Sequence, residues 1–347
     1  MDKKVILAVA GSGKTSHIVN ALNSENKSLV LTYTDNNLRN LRKKIIGKFG
    51  HFPDNIALHS YFTFLYSFCF KPFLWRNSGA KGINWEKPPT WTLKLKRNNR
   101  KYYMDNQLRL YHNRIAKLLE LENVLGLINQ RVEKYFNNLF IDEIQDFAGH
   151  DFNFLKSLSD AEVSMLFVGD FYQHTFDTSR DGNVNSNLHD DLDTYIRKLE
   201  EMGLITDINT LNKSYRCSPS VCTFISKDLG IKMESHRDDE TLIQIIETRA
   251  DADPIFTCND TVKLFYREHY KYPCHSRNWG DSKGEDHYTD VCVVLNKGTY
   301  QKFLKNKLSE LNPQTRNKLY VACSRARNVL YLIPEDIYKN HCTSHAS

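Results

Sequence analysis

Two kinds of hydrophobic segment alternate along the chain. Short runs of adjacent apolar residues recur at Val5-Ile6-Leu7, Leu29-Val30-Leu31, Ile56-Ala57-Leu58, Leu139-Phe140-Ile141 and Met165-Leu166-Phe167-Val168, and again from Val291 to Leu295 and Val329 to Ile333. Runs without polar alternation predict strands buried on both faces. Between them lie segments of helical period. Ser16 to Leu22 is one. Asn37 to Ile46 is another, with Leu38, Leu41 and Ile45 on one face and Arg39, Arg42, Lys43 and Lys44 around it. Strands alternating with helices predict a parallel α/β sheet, whose working residues sit at the carboxyl ends of the strands.

Residues 60 to 137 break this pattern. Aromatics cluster first, from Tyr61 and Phe62 to Phe73 and Trp75. A basic run follows, with Lys94, Lys96, Arg97, Arg100 and Lys101. Residues 105 to 135 read as one or two helices. The stretch is expected to be a mostly helical insertion in the sheet domain. The basic run fits either a solvated face or a surface that tracks a nucleic-acid backbone.

The strand ends carry the candidate chemistry. Val5-Ile6-Leu7 runs into Ala8-Val9-Ala10-Gly11-Ser12-Gly13-Lys14-Thr15 and then a helix. Strand, glycine loop and helix start form the context of a phosphate-binding loop. Gly11 and Gly13 free the backbone N–H groups to turn toward a triphosphate. Lys14 is expected on the β/γ-phosphates and the Thr15 hydroxyl in a Mg²⁺ shell. The general pattern has glycine where this chain has Ala8. The strand at Leu139 ends in Asp142-Glu143, which suits a Mg²⁺-dependent nucleotide hydrolase: Asp142 for the metal through water, Glu143 to orient and deprotonate the attacking water. Gln173, past the strand at Met165, can sense a γ-phosphate. Thr32-Tyr33-Thr34 and His59-Ser60 also lie at strand ends. Tyr33 fits a buried aromatic as well as it fits a base-stacking one.

Composition sets the bounds. The 347 residues suggest two or three domains, and 41% hydrophobic with 25% charged residues is a globular balance. A formal charge of +6 permits nucleic-acid contact without arguing for it. No apolar run approaches a membrane span, and Met1-Asp2-Lys3-Lys4 leads directly into the first strand, so no signal peptide and no membrane partner are expected. The eight cysteines form no C-x-x-C pair, which suits a reduced, cytoplasmic protein. Cys258, His269, Cys274 and His275 are near in sequence, but at no familiar zinc spacing.

Taken in order, A-x-A-G-S-G-K-T, L-T-Y-T, L-H-S-Y, D-E-I-Q-D and V-G-D-F-Y-Q resemble successive motifs of superfamily 1 helicases of the UvrD-like group. The series continues with Leu211-Asn212-Lys213-Ser214-Tyr215-Arg216, with Ser282-Lys283-Gly284-Glu285-Asp286-His287, and with Leu319-Tyr320-Val321-Ala322-Cys323-Ser324-Arg325-Ala326-Arg327. The resemblance spans residues 5 to about 333. It implies two RecA-like parallel-sheet domains, residues 1–200 with the insertion at about 61–137, and residues 201–347, with ATP and Mg²⁺ between them. It gives nucleotide contacts to Ala10, Gly11, Ser12, Gly13, Lys14, Thr15 and Asp142, and to Gly284 and Glu285, the latter at the sugar. Thr15 and Asp142 hold the metal. Glu143, Gln173 and two arginine fingers, Arg216 and Arg325, are the catalytic set. Thr32, Tyr33, His59 and Phe62 line the strand-binding face.

The departures from that family are specific. No glutamine-bearing segment precedes the phosphate loop. No tryptophan follows Gln173, and Phe176 is the nearest aromatic. About 65 residues separate Arg216 from Ser282, so the large insertion of the second domain is missing or vestigial. No separate nuclease domain is expected after Ile333. Two classes of function follow. One is a motor that hydrolyses ATP to translocate on single-stranded DNA and unwind duplex junctions. The other is a DNA-activated ATPase switch for a nuclease or other protein partner. Small helicases of this type resemble components of two-gene bacteriophage-defence systems. A small-molecule P-loop kinase would not need the Y-R and S-R-A motifs.

Overall fold

The computed structural model describes residues 2–175 and 182–338. Phe176 lies outside the described residues. Packing divides the chain into two compact units that interleave in sequence. Of the described residues, 2–6, 15–169 and 182–207 form the first, and 7–14, 170–175 and 208–338 the second. A single cut near residue 200 treats each domain as continuous. By packing, the phosphate loop and the turn after the strand at Met165 go with the second unit.

The first unit contains β1 (Lys3–Leu7), β2 (Ser28–Thr32), β3 (Ile56–Ser60), β4 (Gly82–Asn84), β5 (Arg109–Tyr111), β6 (Asn138–Asp142), β7 (Ser164–Gly169) and β8 (Ile205–Asp207). Six of these make one sheet in the order β3-β2-β6-β7-β1-β8. The β1–β8, β2–β3, β2–β6 and β6–β7 pairings are parallel. All five residues of β2 are buried, as its unbroken apolar run requires. The helix Asp35–Phe49 that follows is closed at both ends. Thr34 accepts a hydrogen bond from the Asn37 N–H, and left-handed Gly50 donates to the Ile46 carbonyl.

The expected insertion is present but less uniformly helical. A π-helical stretch, Phe64–Phe70, brings Phe64 and Phe68 into a stack at 5.2 Å and Tyr66 and Phe70 into another at 5.8 Å. Helices Lys71–Ser78, Ile115–Leu121 and Leu125–Tyr135 follow. Residues 105 to 111, expected to begin a helix, instead make a turn and β5. Asp105 accepts from the N–H groups of Gln107 and Arg109, and β5 pairs with β4 in parallel. That local side-chain capture competes with the helix.

The second unit holds a short parallel pair, β9 (Lys213–Ser214) and β10 (Glu234–Ser235), and a sheet of β11 (Leu242–Ile245), β12 (Thr261–Phe265), β13 (Ser276–Asn278), β14 (Asp290–Leu295) and β15 (Val329–Pro334). Its order is β11-β15-β14-β12-β13, parallel throughout. The core on one face joins Val262, Val291, Val293 and Leu330 to Leu319 and Ala322 of the helix Pro313–Cys323. The fold is thus α/β, with parallel sheets of six and five strands consistent with RecA-like domains. Among the described residues no helix is long and apolar enough to cross a membrane.

Gly169 ends β7 against the turn that follows β6. A Cβ there would press on Gln145 Oε1 and lie 2.6 Å from Ile144 Cγ2 and 3.1 Å from the Ile144 nitrogen. Gly126, in the helix Leu125–Tyr135, has open space around it. Gly169→Ala is therefore expected to cost about 1–3 kcal/mol by overpacking, whereas Gly126→Ala should gain up to about 1 kcal/mol from helix propensity. Urea unfolding of both variants checks the contrast.

Candidate nucleotide site

The phosphate loop packs within the second unit against the Tyr215-Arg216 segment. Val9 N–H donates to the Leu211 carbonyl at 3.0 Å, and Tyr215 N–H donates to the Gly11 carbonyl at 2.9 Å. Gly11 has φ +72, and a Cβ on it would stand 2.6 Å from Arg216 Cβ and 2.7 Å from Ser214 Oγ. Both the left-handed backbone and the close approach demand glycine. Lys14 is only 8% exposed, and among the described residues it has no ion-pair partner. The Ser12 hydroxyl oxygen is buried without a hydrogen bond. A buried ammonium and an unused hydroxyl at a helix start form a cradle for an anion, so these residues fit a nucleotide phosphate.

One hydroxyl ties the loop to two other motifs. Ala10 N–H donates to Tyr320 Oη at 2.7 Å, and Tyr320 O–H donates to Asp170 Oδ2 at 2.9 Å. Tyr320 is fully buried. Burial, reinforced by the Asp170 charge, holds its phenol well above the usual range, so it keeps its proton. Gln173 is buried in the short turn Phe171–Gln173, which Asp170 caps by accepting from the Tyr172 N–H.

Both expected arginine fingers also lie in this unit. Arg216 and Arg325 each donate to Asp286 Oδ1, Arg325 at 3.0 Å. Arg325 is 2% exposed, and its Nε donates to the Val321 carbonyl. Burial, then the neighbouring Arg216 charge, pulls its guanidinium down to about 10, with Asp286 opposing. Glu285, expected at the sugar, accepts from Tyr288 O–H and lies 3.5 Å from Arg277. Gly284 is exposed at φ +84. Tyr215 is 65% exposed, with its ring stacked on His236 at 4.1 Å.

The acidic set lies in the first unit. Thr15 Oγ1 donates to Asp142 Oδ2 at 3.0 Å, and Asp142 is 1% exposed. Oxygen donors of this kind suit Mg²⁺, which takes one or two carboxylates and completes its shell with water and substrate phosphate. Glu143 sits in the left-handed region at φ 62, ψ 48, which costs a non-glycine residue about 1–2 kcal/mol. Gln145 Nε2 donates to its carboxylate. Glu143 is thus turned away from the strand direction and held by an amide two residues on.

The expected strand-binding residues are mostly inside. Thr32 is fully buried, and Tyr33, 8% exposed, stacks on Tyr61 at 5.5 Å and donates to Asp151. Of the two sequence readings of Tyr33, the buried aromatic describes this environment. His59 is half-buried, which lowers its pKa. Phe62 is buried with its ring against Trp85 at 5.1 Å and His112 at 5.6 Å. Trp85 is 60% exposed and stacks on His112 at 5.7 Å. In the basic run, Arg97 lies over the Tyr102 ring and Arg100 donates to the Ser78 carbonyl, while Lys94, Lys96 and Lys101 are exposed. Among the described residues no cluster of three or more His, Cys, Asp or Glu could hold a metal, the Cys258–His275 region included.

Sequence reasoning missed Gln145, Asp170, Tyr320, Asp286, Trp85 and His112. The first four lie inside the quoted motifs, so the motif strings were the available signal. Trp85 and His112 had none beyond their residue types.

No protein-family model matches the chain, and no curated protein matches it. Among solved structures, Arterivirus nonstructural protein 10, a helicase in complex with DNA, is similar over 95% of this chain and 60% of its own, with TM-score 0.50 and 14% identity. The helicase without DNA gives 95%, 59%, 0.46 and 14% by the same measures, and the PRRSV helicase 96%, 52%, 0.48 and 14%. The chain therefore spans between about half and three-fifths of these proteins. The likeness to the DNA complex is one of fold.

Tyr320→Phe removes the acceptor for the buried Ala10 N–H and one donor to Asp170. The expected cost is about 1–3 kcal/mol, the penalty of leaving a buried polar group unpaired. Chemical unfolding measures it, and an unchanged midpoint would show that water replaces the hydroxyl.

Proposed function

We propose that this chain is an ATP-dependent nucleic-acid motor of the superfamily 1, UvrD-like type, which hydrolyses ATP to move on single-stranded DNA and open duplex junctions. The observation that carries the reading is Lys14: an ammonium nine-tenths buried, with no carboxylate partner among the described residues, on a loop with left-handed Gly11 and a buried Ser12 hydroxyl that makes no hydrogen bond. Lys14 and the loop N–H groups take the β/γ-phosphates. Thr15 and Asp142 hold Mg²⁺, which supplies charge neutralisation at the phosphates when bound. Glu143, aimed by Gln145, accepts the proton of the attacking water. Arg216 and Arg325 stabilise charge on the γ-phosphoryl oxygens in the transition state. The exposed Tyr215 ring offers a face to the base. The ordered motifs support the UvrD-like assignment, and the fold likeness to an Arterivirus helicase solved with DNA supports the nucleic-acid partner.

For the strand itself, Trp85 is the best-placed stacking group, braced by His112 and Phe62. Exposed aromatic faces take bases without sequence preference. The alternative, an ATPase switch with little unwinding of its own, is favoured by the short second domain between Arg216 and Ser282.

Lys14→Ala is expected to lose nucleotide binding and hydrolysis together. Glu143→Gln should bind ATP and DNA normally but turn over ~10²–10⁴-fold more slowly. Arg216→Ala and Arg325→Ala should depress turnover more than affinity, as contacts made in the transition state do. ATPase rates with and without single-stranded DNA and RNA decide the main reading. Strong stimulation is expected, and a rate indifferent to either polymer would reject a motor.

Trp85→Ala is expected to weaken single-strand affinity by about 1–3 kcal/mol, the scale of one lost base stack. Fluorescence anisotropy at fixed salt is the measurement. Unwinding length per binding event, alone and with a candidate partner, separates motor from switch.

A further inference from the structure

The two arginines converge on one oxygen of one carboxylate. Their side chains are 12% and 1% exposed, whereas that of Asp286 is 56% exposed. The arginines are anchored from behind. Arg325 Nε donates to the Val321 carbonyl, and the Arg216 carbonyl accepts from Arg237. Arg216 Nη1 is buried and makes no hydrogen bond, so its fork has room for another acceptor. The carboxylate sits on an exposed segment just after left-handed Gly284. Two buried like charges need an anion between them, and here the anion is the solvent-facing member.

We propose that Asp286 is an internal stand-in for the terminal phosphate of the nucleotide. It holds Arg216 and Arg325 together in the nucleotide-free chain and yields them to the γ-phosphoryl oxygens of a nucleoside triphosphate. This rests on the assignment of both arginines to the γ-phosphate, and adds a competitor for them. A diphosphate has no third phosphoryl group to compete, so it leaves the Asp286 pairs in place. Releasing Asp286 therefore costs only the triphosphate, and the carboxylate narrows the preference for ATP over ADP that the arginines create.

The test is equilibrium binding of ATP and ADP in the slow Glu143→Gln background, with Asp286→Asn, Arg216→Ala and their combination. Asp286→Asn is expected to tighten ATP roughly two- to fivefold, the scale of a half-exposed ion pair, and to leave ADP unchanged. In the Arg216→Ala background the gain should shrink. Asp286→Glu, which keeps the charge, should show no gain. If Asp286→Asn lowers the unfolding midpoint, ATP should raise it more than ADP does when each is supplied at the same multiple of its Kd for the parent chain. Equal changes for ATP and ADP, no gain for ATP, a gain undiminished without Arg216, or a lowered midpoint that ATP raises no more than ADP would each overturn the proposal. Failure of the parent chain to bind either nucleotide would overturn the nucleotide reading, and this with it.

Discussion

Uncompensated positive charge in the second unit is the constraint on which the rest of the site depends. Lys14, Arg216 and Arg325 are all largely withdrawn from water, and one half-exposed carboxylate answers two of them. Burial of a cation without a partner is tolerated only where something else offsets it. A fold that selected for stability alone would place a carboxylate near Lys14 or replace the lysine. Keeping it makes sense if the missing counter-charge arrives with a ligand, and a polyphosphate has the right sign and more than one oxygen to share.

The backbone around Lys14 follows from the same need. Within the loop Ser12 N–H donates to the Val9 carbonyl, and three further polar groups are fixed from outside it. Val9, Ala10 and Gly11 are each tied to a different part of the second unit: Leu211, Tyr320 and Tyr215. The Tyr320 hydroxyl is the least replaceable of these ties, because it accepts from Ala10 and donates to Asp170 at once. Tyr320 belongs to the helix that leads to Arg325. A shift of the phosphate loop therefore either carries that helix along or leaves a buried N–H unpaired.

What the sequence disclosed depended on whether the cause was local. Strands such as Ser28–Thr32 are buried over their whole length, so an apolar run announces them, and Gly11 and Lys14 are named by a motif whose geometry is local. The insertion was legible only in outline. Its elements are short, one of them is π-helical, and Asp105 captures the backbone where a helix was expected. Tyr33 was ambiguous for a related reason. Its neighbours Tyr61, Phe62 and Phe147 come from two other segments, and nothing near Tyr33 in sequence says that they converge on it. The interleaving of the two units and the meeting of Arg216 with Arg325 on Asp286 arise from tertiary packing across more than a hundred residues of chain, which no periodicity records.

The two halves of the candidate chemistry are held in different ways. In the first unit Glu143 adopts a costly left-handed backbone, Gln145 fixes its carboxylate, and the missing side chain of Gly169 makes room for the Gln145 amide. Strain held by local packing suits the general-base role proposed for Glu143, which needs little freedom to respond. In the second unit the arginines are anchored, but their counter-ion is exposed and can leave. A group that must act identically in every turnover is best made rigid, whereas a group that must report which nucleotide is bound needs two arrangements of similar energy. Under the proposed function, the strained glutamate suits proton transfer in the first unit and the exposed aspartate suits nucleotide sensing in the second.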